Sequence, residues 1–247
     1  MGDQVDFLIR IFPDLLFGFP GNRPGGLLLS ILLTAAALLV GTTIAIIIGF
    51  GSHSRFWFLR SLSRAWVHVI RGVPLVVQLV LIHQTVGAGR IPGIETSALG
   101  SAFITLVLYS SAYQADIVRS GISAVPQSQI DDARLLGASR WAIKRTIVLP
   151  GSLNVMRPAL LTQAITVFKD SSVVVVLGVA DLTTNARIAL GGNVGNTPYW
   201  VSTYLLVGAM YFGVAWGSAV FLKRSGYIPL NNFETSSHHR TVVVLDS

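Results

Sequence analysis

From Gly26 to Phe50 the sequence GLLLSILLTAAALLVGTTIAIIIGF holds no charged side chain. A helix that crosses a bilayer needs about 20 mainly apolar residues, because lipid offers backbone N–H and C=O groups no partner. This segment is long enough, and it starts too late and runs too long for a cleaved signal peptide. Four further windows qualify: Ala65–Val86, Ser97–Ile117, Leu153–Ala180 and Tyr199–Leu222. Arg71 interrupts the first of these four, and Lys169–Asp170 interrupts the third.

Composition agrees with the windows. The chain is 52% hydrophobic and 12% charged, with a mean hydropathy of +0.65, whereas soluble domains carry about 25% charged residues. The apolar blocks tile the chain and leave no space for a separate soluble domain. The reading is an all-α membrane protein with five transmembrane helices spread over 26–225. A short outer segment, 1–25, precedes them and a tail, 226–247, follows. The sequence has no cysteine, which removes disulfides, thiolate metal sites and cysteine nucleophiles together.

Orientation follows from the basic residues, which gather on the cytoplasmic side of membrane proteins. With the amino terminus outside, five crossings put the carboxy terminus in the cytoplasm. The inner loops then hold Arg55, Arg60, Arg64, Arg71, Arg119, Arg134, Arg140, Lys144, Arg145 and Arg157, and the tail holds Lys223, Arg224 and Arg240. Outside stand only Arg10, Arg23, Arg90 and Arg187. The net charge of +7 is therefore read as loop charge, not as a nucleic-acid footprint.

One inner segment is patterned rather than loose. In Gln129–Pro150, QIDDARLLGASRWAIKRTIVLP, apolar Ile130, Ala133, Leu135 and Leu136 recur at helical spacing. Gly137 interrupts, and a second amphipathic run from Ala138 to Val148 is expected to stop at Pro150. A helix, a glycine turn and a second helix make a knob suited to docking on another protein.

This segment resembles the EAA loop of membrane-spanning subunits of ABC importers: E-A-A, three residues, G, nine residues, I-x-L-P. Asp131, Asp132 and Ala133 stand at E-A-A, Gly137 at the glycine, and Ile147, Leu149 and Pro150 at I-x-L-P. Asp132 departs from the small residue of the pattern. Three more segments are similar to those of polar amino-acid permeases: Arg71-Gly72-Val73-Pro74-Leu75 with Gln78, Ala112-Tyr113 through Ile122, and Phe168-Lys169-Asp170-Ser171-Ser172 continuing to Leu182.

The resemblance implies the permease fold of type I importers, with 121–152 as the cytoplasmic coupling loop. It implies two partner ATPase subunits that bind ATP and Mg, a second permease chain, identical or related, and an extracytoplasmic amino-acid-binding protein. It places the chain in a bacterial cytoplasmic membrane as a transport subunit, not an enzyme. The sequence agrees in one respect: no lysine follows a glycine, so no G-x-x-x-x-G-K-[ST] phosphate loop is present.

Site residues divide into two groups. Asp131, Asp132, Ala133, Gly137, Leu149 and Pro150 are the coupling candidates. Asp131 and Asp132 are expected in the opening turn of a helix, where a carboxylate favours the dipole by about 0.3–1 kcal/mol; for Asp131 a basic partner on the ATPase is the sharper reading. Trp141 suits either an ATPase groove or the lipid headgroups. Lys169, Asp170, Ser171, Ser172, Arg71 and Gln78 are the substrate-path candidates. A charge at the centre of a span costs about 2.5–3.5 kcal/mol and so faces a cavity or a partner. Lys169 and Asp170 point about 100° apart on a helix, so they cannot simply pair side by side; an ion pair with Arg71 or Asp116 is the structural alternative. His68 and His83 have no third ligand nearby and make a poor metal site. Gly191, Gly192, Gly195 and Pro198 mark an outer loop of turns. A membrane protease is disfavoured by the absence of its motifs, and a solitary secondary transporter by the small number of spans and the lack of repeats.

Overall fold

The computed structural model describes residues 2–21, 24–90 and 95–224. Arg23, the tail from 226 and its His238-His239 lie outside the described residues. Within them the chain is helical throughout, and its one β-bridge joins Gly26 to Asp181.

The apolar window at Gly26–Phe50 forms α2, Gly26–Gly51. Its buried face is a row of small residues, Ser30, Thr34, Ala37, Gly41, Ala45 and Gly49. Against it lies α5, Ala98–Ser123, begun by Ser97, whose hydroxyl accepts from the Gly100 N–H at 3.1 Å. Small residues let the two backbones approach closely. A Cβ on Gly41 would stand 2.2 Å from Ser110 Oγ, and one on Gly49 would stand 2.4 Å from Val118 Cγ1. No larger residue fits without moving one helix.

Helix α5 is the central post. Its buried face is polar in part, with Ser101, Thr105, Ser110, Ser111 and Gln114 buried. The hydroxyls are satisfied by nearby carbonyls: Thr105 donates to Ser101 at 2.7 Å, and Ser111 donates to Leu108 at 2.7 Å. Their polarity keeps α5 out of the set of helices long and apolar enough to cross a membrane by themselves. Among the described residues that set is Gly26–Gly51, Arg140–Leu177 and Gly195–Phe221, with a bent pair as a fourth. Outward faces are apolar, as at Leu39, Ile47, Leu205 and Phe212.

The bent pair corrects the expectation of one straight helix over Ala65–Val86. Helix α3, Trp57–Gly72, and α4, Leu75–Ile82, meet at 101°. Pro74 lacks an N–H and forces Val73 into extended backbone, φ −107° and ψ 130°. Carbonyls freed at the break are taken up by Gln78, whose Nε2 donates to Ile70 at 2.7 Å and Val73 at 2.8 Å.

Helix α6 spans Gln127–Leu135 and α7 spans Arg140–Ile143. A π-helical turn, Lys144–Val148, then leads without a stop into α8, Leu149–Asp170. Pro150 therefore does not end the second run; it lies in the first turn of α8, where its missing N–H is tolerated. The π turn ahead of it absorbs the register change, with Leu149 N–H donating to the Lys144 carbonyl. A 3₁₀ segment follows at Ser171–Leu177, closed by Gly178.

The amino-terminal segment, expected as a short outer stretch ahead of the spans, contains α1, Gly2–Phe17. Phe7, Ile11 and Leu15, four apart, are buried against Leu182, Ala186 and Ala189 of α9, Leu182–Gly191, and Val207 of α10, Trp200–Arg224. Gly26 is required where α1 returns to α2. Its φ is +61°, and a Cβ there would stand 2.1 Å from the Leu15 carbonyl oxygen. Asp181 caps α9, accepting from the N–H groups of Thr183 at 3.2 Å and Thr184 at 2.8 Å, with the Tyr211 hydroxyl at 3.3 Å. Gly191 closes α9, and a 3₁₀ turn, Val194–Tyr199, carries Gly195 and Pro198 into α10.

Candidate functional site

Two constellations occupy different parts of the fold. At one end of the bundle the α6–α7 segment projects as a knob. Its turn is specified by backbone chemistry: Gly137 has φ +77°, its N–H donates to the Arg134 carbonyl at 2.9 Å, and Ala138 N–H reaches the Ala133 carbonyl at 2.9 Å. This is the paired closure that ends helices at a left-handed glycine. Ser139 starts α7, its hydroxyl accepting from Ala142 N–H at 3.2 Å. The knob is anchored from beneath by Ile143 and Val125, both buried.

Asp131 is the fifth residue of α6, not in its opening turn, so the expected dipole role does not apply to either aspartate. Its carboxylate accepts from Gln127 Nε2 at 3.1 Å and Arg134 Nη1 at 2.8 Å, and it remains exposed. Asp132 is exposed beside it, and Ala133 is half-buried. Leu149 and Pro150 lie at the exposed start of α8. At the tip, Leu135 and Leu136 are 86% and 88% exposed. Two leucines presented together beside charged residues form an apolar contact point that nothing among the described residues buries.

The second constellation runs along one face of α5. Tyr109, Tyr113 and Asp116 are spaced i, i+4, i+7 and so rise over about 10 Å on one side of the helix. The Tyr109 hydroxyl donates to Asp170 at 2.9 Å. The Tyr109 and Tyr113 rings lie 4.7 Å apart. The Arg71 guanidinium lies over the Tyr113 ring, 4.9 Å from its centroid, and forms an ion pair with Asp116. Arg119 closes the line, donating to Asp116 through Nη2 at 2.8 Å.

Of the six sequence-derived path candidates, this line gathers two, Asp170 and Arg71. Asp170 binds Tyr109 rather than Arg71 or Asp116, so the alternative ion pair is not formed. Lys169 is exposed; among the described residues no carboxylate lies within 4.0 Å of it. Ser172 is half-buried and donates to the Lys169 carbonyl at 2.8 Å. Ser171 is fully buried and donates to Phe168 at 2.7 Å. Gln78 is buried within the α3–α4 bend. Among the described residues no three potential metal ligands cluster; His83 Nδ1 lies 3.1 Å from Ser101 Oγ.

Sequence reasoning missed Tyr109 and gave Tyr113 no role. The available signal was a polar stripe, 109-113-116, at helical spacing inside an otherwise apolar window.

A polar-cored helical bundle with a structured knob at one end describes a membrane transport component. Residues 41–223 match the family described as binding-protein-dependent transport system inner membrane component, and the chain belongs to that family. It is thus a multi-pass component of the inner membrane. The probable amino-acid ABC transporter permease protein YckA of Bacillus subtilis is 32% identical over 192 residues, covering 78% of this chain and 82% of that protein. The glutamate/glutamine/aspartate/asparagine transport system permease protein BztC of Rhodobacter capsulatus is 28% identical over 189 residues, 76% of this chain. The match spans 43% of the length of BztC. A crystal structure of an amino acid ABC transporter with histidines superposes with a TM-score of 0.76 at 29% identity, covering 87% of this chain and 94% of that one.

Proposed function

We propose that this chain is the permease subunit of an ATP-driven importer of polar amino acids and couples to separate ATPase subunits through its 121–152 loop. The observation that carries the reading is the knob. Leu135 and Leu136 stand exposed on a turn fixed by Gly137, beside Asp131, Asp132 and Arg134. Exposed apolar tips on a rigid scaffold are suited to insert into a partner, and Asp131 is free to exchange Arg134 for a basic group across that interface. Leu149 and Pro150 then carry movement of the knob into α8, because no break separates α7 from α8.

The spans are assigned as α2, the bent α3–α4 pair, α5, α8 and α10, with the amino terminus outside. Helix α5 is the third span despite its polarity, because other helices shield its hydroxyls from lipid. Residues 26–225 are the transport domain, 1–25 the outer segment and 226–247 the inner tail.

Substrate moves beside the Asp170–Tyr109–Tyr113–Arg71–Asp116 line. Lys169 and Asp170 offer a cation and an anion to a zwitterion, with Ser172 beside them. Arg71 with Asp116 closes the path towards the cytoplasm, and Gln78 and Ser171 hold its frame. Partners are an ATPase dimer, which binds the ATP and Mg, a second permease chain, an extracytoplasmic binding protein and lipid.

The absence of cysteine makes the test direct. Leu136→Cys is labelled by a membrane-impermeant maleimide in inside-out vesicles, is silent in right-side-out vesicles, and is protected when ATPase subunits are bound. Labelling from the outer face, or labelling unaffected by the ATPase, overturns the reading.

A further inference from the structure

Beneath the knob lies an open groove of about 1180 Å³, most of whose lining the coupling reading does not use. Phe50, at the end of α2, Ile122, at the end of α5, and Val148 contribute apolar walls. In the same lining stand Arg55, Arg140, Lys144 and Arg145, and no carboxylate. Arg134 also lines it, but its charge is met by Asp131. Among the described residues, none of the other four cations has a carboxylate within 4.0 Å.

Two features mark this cluster of charges. Arg55 and Arg145 are each laid against an aromatic ring, Phe56 at 5.4 Å and Trp141 at 5.9 Å from the centroid. Arg140 and Lys144 stand four residues apart on one continuous helical stretch, a spacing at which like charges destabilise each other. An anion between them converts that repulsion into attraction. The apolar walls say which kind of anion. A soluble phosphate gains nothing from Phe50 and Val148, whereas an acyl chain does. From Phe50 the surface continues onto the exposed Ile46 and Ile47 of α2, the route an acyl chain follows into the bilayer. Basic pockets between helix ends on the cytoplasmic side suit anionic headgroups in this way.

We propose that this groove binds one anionic phospholipid of the phosphatidylglycerol type. Its phosphodiester lies among Arg55, Arg140, Lys144 and Arg145, and its chains leave along Phe50 and Val148. Assignment to the inner leaflet rests on the coupling-loop orientation; lipid binding itself does not. A lipid held there fixes the base of the knob to the membrane surface.

The test is native mass spectrometry of the full chain, with whatever subunits co-purify, titrated in micelles with phosphatidylglycerol or phosphatidylethanolamine. The expected result is a preference of about tenfold or more for one tightly held phosphatidylglycerol, lost in Arg140→Gln/Lys144→Gln/Arg145→Gln and kept in the charge-preserving Arg140→Lys/Arg145→Lys. A second measurement needs no charge removal. Brominated phosphatidylglycerol quenches the fluorescence difference between wild type and Trp141→Phe, and brominated phosphatidylethanolamine at the same mole fraction does not. Equal retention of the two lipids, displacement by inorganic phosphate, or loss of the lipid when ATPase subunits bind each overturns the proposal. Retention is read whether or not an ATPase co-purifies, so a failure here is distinct from a failure of the importer reading.

Discussion

Replacing Gly137 by alanine removes no packing, which makes it a clean perturbation of the knob. A Cβ at that position meets no atom within 4 Å, so the cost is confined to the backbone. At φ +77° an L side chain crowds the adjacent carbonyl, at a cost of about 1–2 kcal/mol. That is a factor of about 5–30 in the population of the turn that Arg134 and Ala133 close with their carbonyls. A partner that docks only on the closed turn then binds with an apparent affinity lowered in proportion to the closed fraction, up to about 5–30-fold once the open form predominates, while turnover at saturation is unchanged. Asparagine tolerates the left-handed region, so Gly137→Asn keeps most of the affinity. The assay is titration of purified ATPase subunits onto the permease in nanodiscs, with association and ATP hydrolysis read separately. Wild-type affinity in the alanine variant, or equal losses in the alanine and asparagine variants, refutes the reasoning.

Other perturbations address the rest of the fold. Gln78→Leu strands the Ile70 and Val73 carbonyls at the bend and lowers stability by about 1–3 kcal/mol, read as a fall in thermal unfolding temperature in detergent; an unchanged midpoint contradicts the stapling role. Gly49→Val drives a side chain into Val118 and is expected to cost about 1–3 kcal/mol through overpacking of α2 on α5, measured by the same unfolding. Tyr109→Phe takes away the donor to Asp170 and is expected to slow uptake several-fold with assembly intact; unaltered uptake in proteoliposomes separates Tyr109 from the path. Arg71→Gln and Asp116→Asn are expected to be less than additive, with a coupling of about 0.5–3 kcal/mol in a double-mutant cycle; strict additivity denies the pair a role.

The long helices were legible because apolar runs of that length have few alternatives: α2 and α10 begin and end within two residues of their windows, and α5 begins one residue after its window and runs six past its end. What escaped was set by tertiary context. Val73-Pro74 announces a boundary, but only the packing of α3 across α5 turns it into a bend of 101°. Pro150 reads as a stop, yet a π turn just before it lets the helix pass. Helix α1 lacks the length and apolarity of a span, and its stripe of Phe7, Ile11 and Leu15 makes sense only with α9 and α10 to cover it. At the candidate site, residue types and spacing pointed to the knob, and its glycine turn formed where expected. The partners of Asp170 and Arg71 were not legible, because they lie on α5, about sixty and forty-five positions away, and no local pattern reaches that far.

Coupled ATP hydrolysis is the property on which the account stands. The complex, expressed with its neighbouring genes, is reconstituted in lipid and titrated with binding protein and a panel of amino acids, comparing wild type with Asp131→Ala. The account predicts hydrolysis stimulated by one class of polar amino acids in wild type and weakened coupling in the variant with assembly intact. Recovery of the chain without any ATPase, and no response to any amino acid, contradicts it.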